Sequence, residues 1–308
     1  MIEAIQLRAP AIGRLVGFGR GLVANERVRL ALSIYGYLTT AVVILLITFN
    51  TAGFAHDVPI WDRTGDMLRS GASPYGANYD RNLLFLYAPP WALIFAAVTW
   101  LPQPVQVGGL FALEVLAWRI CAGSWRRVGY LGVFPVFGFE LAVGQINLLI
   151  AAAVALALRG DGRWAVVAAF AKLSPVLAIR DVRRPLYVAL LFVLATAPVF
   201  WLWGEWLRQV IAYAAGGDDP IPYWVRLAVG IALVATRRRW AAGLAVFVAI
   251  PNVTPNSYVL LAALMPQIPR GRATVVAPAE PPAVDYFAIA PASTDEGPSP
   301  AAFTARTT

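Results

Sequence analysis

Three places in this sequence set polar groups where chemistry could follow. The first is the run from residue 50 to 82, NTAGFAHDVPIWDRTGDMLRSGASPYGANYDRN, which carries four acids, three arginines and the chain's single histidine. Asp57, Asp62 and Asp66 lie close behind an apolar stretch, with Arg63 and Arg69 among them and Trp61 and Tyr75 nearby. Carboxylates with aromatics are the usual equipment for binding and activating a sugar hydroxyl, and an ionised aspartate near a membrane interface can serve as general base on such a hydroxyl. Solvated ion pairs are the plainer reading of the same charges, and His56 is either a ligand or proton relay or a merely solvated side chain. The second place is Lys172, the one lysine of the chain, set inside VVAAFAKLSPVLAI with Ser174 and Pro175 close behind. Burying its charge costs on the order of 3 kcal/mol, so such a residue faces a cavity or snorkels to an interface. Pro175 breaks the backbone ladder, which suits a half-helix end pointing at an anion, and a phosphate fits both features. The third is GQIN, Gly144 to Asn147, where two amides sit beside a glycine in an apolar stretch. Amides donate and accept, as sugar hydroxyls require, although helix-to-helix hydrogen bonding would use them equally well. Glu114 and Glu140 also lie within apolar runs, where either could pair with an arginine such as Arg119.

Other chemistries lack their residues. There is no GxxxxGK[ST] loop, no zinc-spaced His or Cys pair and no GxSxG elbow. The single cysteine, Cys121, excludes an internal disulfide and a cysteine metal cluster, and reads as apolar filling. No soluble catalytic domain is evident, so the chemistry belongs at a membrane surface.

That surface is set by composition. The chain of 308 residues is 59% hydrophobic and 14% charged, with mean hydropathy +0.64, outside the balance of soluble domains. A crossing needs about 20 mostly apolar residues. The clearest runs are 30–49, 84–101 and 186–203, and shorter or interrupted ones fall at 105–121, 128–143, 145–158, 164–179, 223–236, 240–251 and 257–268. The expectation is an all-α polytopic membrane protein of about eight to ten spans. A basic segment, 1–29, precedes the first run, which lacks a cleavage pattern and reads as an uncleaved span. By the positive-inside rule this segment, the RDVRRP break (Arg180, Arg183, Arg184) and the TRRRW break (Arg237, Arg238, Arg239) are cytoplasmic. The +8 net charge is thus a topology signal; the arginines are scattered and no stacking platform accompanies them, so nucleic acid is not an expected partner. The 50–82 loop and the acidic stretch 204–222 then face outside. Residues 30–268 form the membrane domain, and from 269 a Pro/Ala-rich tail has a disorder composition.

Simple alternation would put Arg126 and Arg127 outside, against the positive-inside rule. If AAFAKLSPVLAI is a re-entrant pair of half-helices, the basic breaks at 123–127, 159–163 and 180–184 all become cytoplasmic and VGQINLL faces outward. Irregular backbone at membrane depth is tolerated where it lines a protein cavity, so this arrangement would itself mark a site.

Four patterns in order over residues 30–265 carry a resemblance. They are DVPIWDRTGDMLRSGASPY after the first span, Tyr87 with Pro89 in FLYAPPW, GQIN, and Lys172 with Pro175 in AKLSP. In these the chain resembles glycosyltransferase family 87, the polyprenyl-phosphate-mannose-dependent alpha-mannosyltransferases of the multi-spanning C superfamily. The resemblance implies transfer of a hexose, mannose above all, from a polyprenyl-phosphate donor to a glycolipid or glycan acceptor outside the cytoplasm, with inversion. It implies Asp57 as general base, four residues before Trp61 and fourteen before Gly71. Trp61, Arg63, Arg69, Tyr75, Tyr87, Gln145, Asn147 and Lys172 would contact substrate, with Lys172 or a first-loop arginine meeting the departing lipid phosphate. No nucleotide sugar or other cofactor is required, no metal ligand set is assigned, and membrane lipids are the surroundings. Where family members carry a C-terminal histidine after a Ser-Pro element, NVTPNSYVLLAALMP keeps Thr254, Pro255 and Tyr258 without it. Two rival readings are a transporter or flippase of lipid-linked sugars, which internal inverted repeats would favour, and a non-catalytic subunit of envelope glycan assembly.

Overall fold

A computed structural model describes residues 25–50, 54–55, 57–76, 84–215, 221–251 and 254–267. All belong to one compact unit, Met1–Ile268; the second, Pro269–Thr308, holds the expected tail and, like His56 and the basic segment up to residue 24, lies outside the described residues. The described residues are helical throughout, with no strand. In chain order the helices are α1 (Glu26–Asn50), α2 (Val58–Arg69), α3 (Pro89–Val98), α4 (Gln103–Ala122), α5 (Trp125–Gly132), α6 (Pro135–Val143), α7 (Asn147–Leu158), α8 (Arg163–Ala171), α9 (Arg183–Ala195), α10 (Leu202–Ala215), α11 (Tyr223–Ala235) and α12 (Arg239–Val248). Short 3₁₀ segments cover Ser174–Ala178 and Ala197–Val199, and a longer one covers Pro255–Gln267.

Among the described residues two helices are long and apolar enough to cross a membrane, α1 with 25 residues and α4 with 20. A third span results if α6 and α7, bent by 115° at their break, count as one. The other apolar runs are divided into shorter helices, and proline marks the division: Pro89 and Pro90 open α3, Pro135 opens α6, and Pro175, Pro198 and Pro255 stand at the 3₁₀ turns. A ring in place of the N–H stops the ladder at each point. Hydropathy averaged over a window does not register these breaks.

Helix α1 buries only Ser33, Gly36 and Thr40, and exposes Leu30, Ile34, Leu38, Val42, Leu45 and Phe49. Such a wide apolar face with a narrow stripe of small residues is the pattern of a helix among lipids packed on a neighbour. The stripe meets α5, where a Cβ added to Gly36 would fall 1.7 Å from the Gly129 carbonyl oxygen, so the two backbones touch and neither glycine is replaceable.

The basic breaks gather at one end of the bundle. Arg126 pairs with Glu26 at 2.6 Å, and Tyr37 donates to the Trp125 carbonyl at 2.6 Å. Arg159 donates to the Ile120 carbonyl at 3.2 Å, Gly162 packs on Pro185, and Arg180 donates to the Arg237 carbonyl at 3.0 Å. From that end α8 runs to Lys172, and the Ser174–Ala178 turn leads back to Arg180. The segment AAFAKLSPVLAI is therefore a bent pair of short helical pieces, with Lys172 at its apex.

Candidate functional site

Asp57 stands at the entry to α2. Its backbone N–H reaches the Val143 carbonyl at 3.2 Å, and the neighbouring Ala55 N–H reaches Ala142 at 2.7 Å, so the start of α2 is pinned to the end of α6. The Asp57 side chain makes no N-cap hydrogen bond, although aspartate commonly does at such a position. It is 8% exposed and turned into a cavity instead. One turn on, Trp61 stacks on Phe95 of α3 with ring centroids 4.6 Å apart and planes 9° from parallel. The other loop acids are placed differently. Asp66 is exposed and pairs with Arg69, which also donates to the Ala96 carbonyl and to Thr99 and so ties α2 to α3. Asp62 is half-buried.

The GQIN run makes the sharp bend between α6 and α7. Gly144 takes φ +74°, a left-handed conformation, and a Cβ there would lie 3.0 Å from Ala55, so both backbone and packing call for glycine. Beyond the bend, Asn147 gives its backbone N–H to Glu140 Oε1 at 2.6 Å and its Nδ2 to Glu140 Oε2 at 3.0 Å. The carboxylate thus closes the N-terminus of α7, where helix dipole and free N–H groups favour an anion. Asn147 Nδ2 also reaches Gln145 Oε1 at 3.0 Å, and Asn256 donates to the same oxygen. Thr254 in turn donates to Asn256. A continuous polar chain, Thr254–Asn256–Gln145–Asn147–Glu140, therefore crosses the interior. The arginine partner anticipated for Glu140 is replaced by an asparagine, and Glu114 is wholly buried with neither carboxyl oxygen hydrogen-bonded among the described residues.

Lys172 ends α8 in extended backbone, φ −142° and ψ 129°, just where the helix breaks. Its side chain opens on the same cavity as Asp57, and no ion pair joins it to a carboxylate among the described residues.

That cavity has a volume of about 250 Å³. Asp57, Trp61, Tyr87, Gln145 and Lys172 line it, together with Trp206, Val210 and Tyr213 of α10 and Thr254. Ile60, Leu84, Leu86, Leu173, Ile250 and Pro251 supply much of the apolar wall. A carboxylate, an ammonium, an amide and several aromatic rings so converge from segments more than a hundred residues apart. This set can hold a polyhydroxylated ring against an aromatic face, take a proton from a hydroxyl and receive an anionic group. Four residues expected at the site do not line the cavity. Arg63 is exposed and Arg69 braces α3. Tyr75 donates to the Tyr87 carbonyl at 2.8 Å, which fixes the turn carrying Tyr87, and Asn147 supports Gln145 from behind. Among the described residues no group of three His, Cys, Asp or Glu side chains is placed to hold a metal.

Sequence reasoning missed the α10 wall. Trp206, Val210 and Tyr213 recur at i, i+4 and i+7, the spacing of one helical face, and that signal was present in EWLRQVIAY. Trp206 and Gln209 also anchor the wall, donating to the Leu86 and Phe85 carbonyls at 3.0 and 2.7 Å. Ile250 and Pro251 are held by Arg226, a buried cation on α11 that donates to their carbonyls at 2.7 and 2.9 Å and to Ile221 at 3.2 Å. The described residues thus form an all-helical body that includes two or three helices able to cross a membrane and holds a polar-and-aromatic cavity. No protein-family model, no curated protein and no solved structure matches it.

Proposed function

We propose that the protein is a membrane glycosyltransferase that moves a hexose, mannose by the resemblance to family 87, from a polyprenyl-phosphate donor to a glycolipid or glycan acceptor, with inversion. The convergence of Asp57 and Lys172 on one aromatic-lined cavity carries this reading. The acceptor hydroxyl gives its proton to the Asp57 carboxylate as its oxygen attacks the anomeric carbon. The bond from that carbon to the phosphate oxygen breaks, and the electron pair leaves on the lipid phosphate, whose added charge Lys172 stabilises. Gln145 offers a donor and an acceptor to the ring hydroxyls, and Trp61, Tyr87, Trp206 and Tyr213 offer apolar faces.

The same reading makes the chain a multi-pass cell-membrane protein of the C-type fold. Proline-broken helices joined end to end complete crossings beyond α1 and α4, toward the eight to ten read from hydropathy. The gathering of arginines at one end supports a cytoplasmic N-terminus and an extracytoplasmic cavity. Purified protein incubated with polyprenyl-phosphate mannose and a membrane glycolipid fraction should yield a product heavier by one hexose. Movement of the lipid-linked sugar across vesicles without any product would replace the reading with a flippase, and no turnover of any polyprenyl-phosphate hexose would end it.

A further inference from the structure

The polar chain that reaches the cavity wall has a direction, and Glu140 sets it. The carboxylate receives the Asn147 backbone N–H at 2.6 Å and Nδ2 at 3.0 Å. Nδ2 has a second hydrogen, which goes to Gln145 Oε1 at 3.0 Å. Asn256 gives its own Nδ2 to the same oxygen. Thr254 donates to Asn256 Oδ1 and stands 2.9 Å from the Ser257 hydroxyl. With its one proton committed, Thr254 can only accept there, so Ser257 donates. Each amide orientation follows from the one before: a nitrogen must face the carboxylate, an oxygen must face that nitrogen, and a second nitrogen must face that oxygen. The cost falls on Asn147 Oδ1, buried without a partner among the described residues.

The consequence falls on Gln145. A carbonyl oxygen has two acceptor positions, and here both are filled. Nε2 takes no hydrogen bond among the described residues, and the half-buried Gln145 opens on the cavity, whereas Asn147 and Asn256 are buried. The face it turns to a ligand is therefore two N–H donors and no acceptor. Lys172, likewise a donor without an acceptor, lines the same cavity of about 250 Å³. A hydroxyl both gives and takes hydrogen bonds, whereas an oxyanion only takes them, and an N–H bond to a charged acceptor is roughly twice as strong as one between neutral groups.

We propose that Gln145 is a donor-only contact for the anionic group in the cavity, the phosphate of the polyprenyl-phosphate donor, and that Asn147 and Asn256 orient it for that task. This rests on the proposed transfer and narrows the part Gln145 has in it, because the amide's acceptor is engaged inside the wall. Glu140 and the two asparagines are positioning residues, which act on the ligand only through Gln145.

Melting in detergent tests the orientation without any ligand, by exchanging each amide for the acid of the same shape. Gln145→Glu keeps the oxygen that two N–H groups seek and should melt close to the parent. Asn147→Asp and Asn256→Asp set oxygen against oxygen and should melt several degrees lower or fail to fold. A Gln145→Glu protein that falls as far as those two reverses the assigned direction and overturns the proposal. Binding then tests the ligand, with polyprenyl phosphate and the uncharged polyprenol as probes. Gln145→Met removes the donors without adding charge and should weaken polyprenyl phosphate roughly tenfold to hundredfold while leaving polyprenol unchanged. Binding of polyprenyl phosphate as tight as in the parent, equal losses for both probes, or a parent that does not prefer the phosphate would each overturn the contact. Should Gln145→Met not accumulate, Gln145→Glu takes its place under the same criteria. A parent that responds as described yet transfers no hexose ends the transferase reading and leaves this contact standing, whereas normal transfer with unaltered binding by the variant ends the contact alone.

Discussion

Asn147 grips one carboxylate twice, giving its backbone N–H to Glu140 Oε1 at 2.6 Å and its side-chain Nδ2 to Glu140 Oε2 at 3.0 Å. The contact spans the bend of 115° between α6 and α7 and fixes Gln145, which lies inside that bend, at the cavity wall. One amide therefore secures a helix terminus, a sharp change of chain direction and a candidate ligand-binding side chain together.

Asn147→Asp should test that contact most severely. It sets a second carboxyl against Glu140 in a dry interior, where an unpaired buried polar group costs about 1–3 kcal/mol and a charged one more. Loss of folded protein on size exclusion, with Asn147→Ser retaining part of it through the backbone N–H, is the expected outcome.

Gly144→Ala should be destabilising by about 1–3 kcal/mol, since a side chain must adopt a left-handed backbone there. It must also meet Ala55 at 3.0 Å. A guanidinium- or heat-denaturation series on purified protein checks this, and Gly71→Ala is a useful comparison: Gly71 shares the positive φ but has nothing within 4 Å. The difference between the two isolates the packing contribution.

Asp57→Asn should insert and fold normally yet lose transfer by about 10²–10⁴-fold, the usual consequence of removing a general base. The fold is expected to survive because the Asp57 side chain makes no capping bond to α2. Asp66→Asn removes only an exposed pair with Arg69, worth about 0–1 kcal/mol, and should keep measurable turnover, as should Asp62→Asn. Near-normal transfer by Asp57→Asn would remove it from the mechanism.

Arg226→Met should leave the carbonyls of Ile250 and Pro251 without donors and loosen the rim beside Thr254. A lower melting temperature is expected, with KM for the donor rising more than kcat falls, because Asp57 and Lys172, the reacting groups of the proposed transfer, sit on other segments. Steady-state kinetics on the purified variant check the split.

Sidedness is open to cysteine labelling, since the native Cys121 is buried. In intact cells an impermeant maleimide should reach a cysteine at the exposed Ala72, just past the end of α2, and should reach cysteines at Gly160 or Arg183 only after the membrane is opened. The reverse pattern would invert the orientation and place the cavity in the cytoplasm.

Much of this organisation was legible in the sequence because single residues forced it. Composition dictated helices, since backbone in hydrocarbon must satisfy its own hydrogen bonds. The isolated Lys172 before Pro175 announced a broken segment, and the arginine breaks announced a common end, which the contacts of Arg126, Arg159 and Arg180 now draw together. GQIN pointed to Gln145 and to a glycine-dependent turn. Other features were illegible for equally specific reasons. Hydropathy windows sum apolar character without regard to proline, so they joined runs that the chain divides into helices too short to cross alone. Charge by itself says nothing about direction, so only the family resemblance set Asp57, which turns inward, apart from Asp66, which turns to solvent.

What the sequence determined by itself was therefore chemical inventory and periodicity: an apolar helical chain, a stranded lysine, an acidic loop with aromatics, and amides beside a glycine. These depend on residue types and on spacing within one element, and both are written along the chain. What only the tertiary structure decided was which of those residues meet. Asn256 reaching Gln145, Arg226 clasping Ile250, and Trp206 and Tyr213 lining one cavity with Asp57 all join residues from segments that no local pattern relates. Each follows from how bent and broken helices pack, and packing depends on complementary surfaces from distant segments, which appear only when the chain is folded.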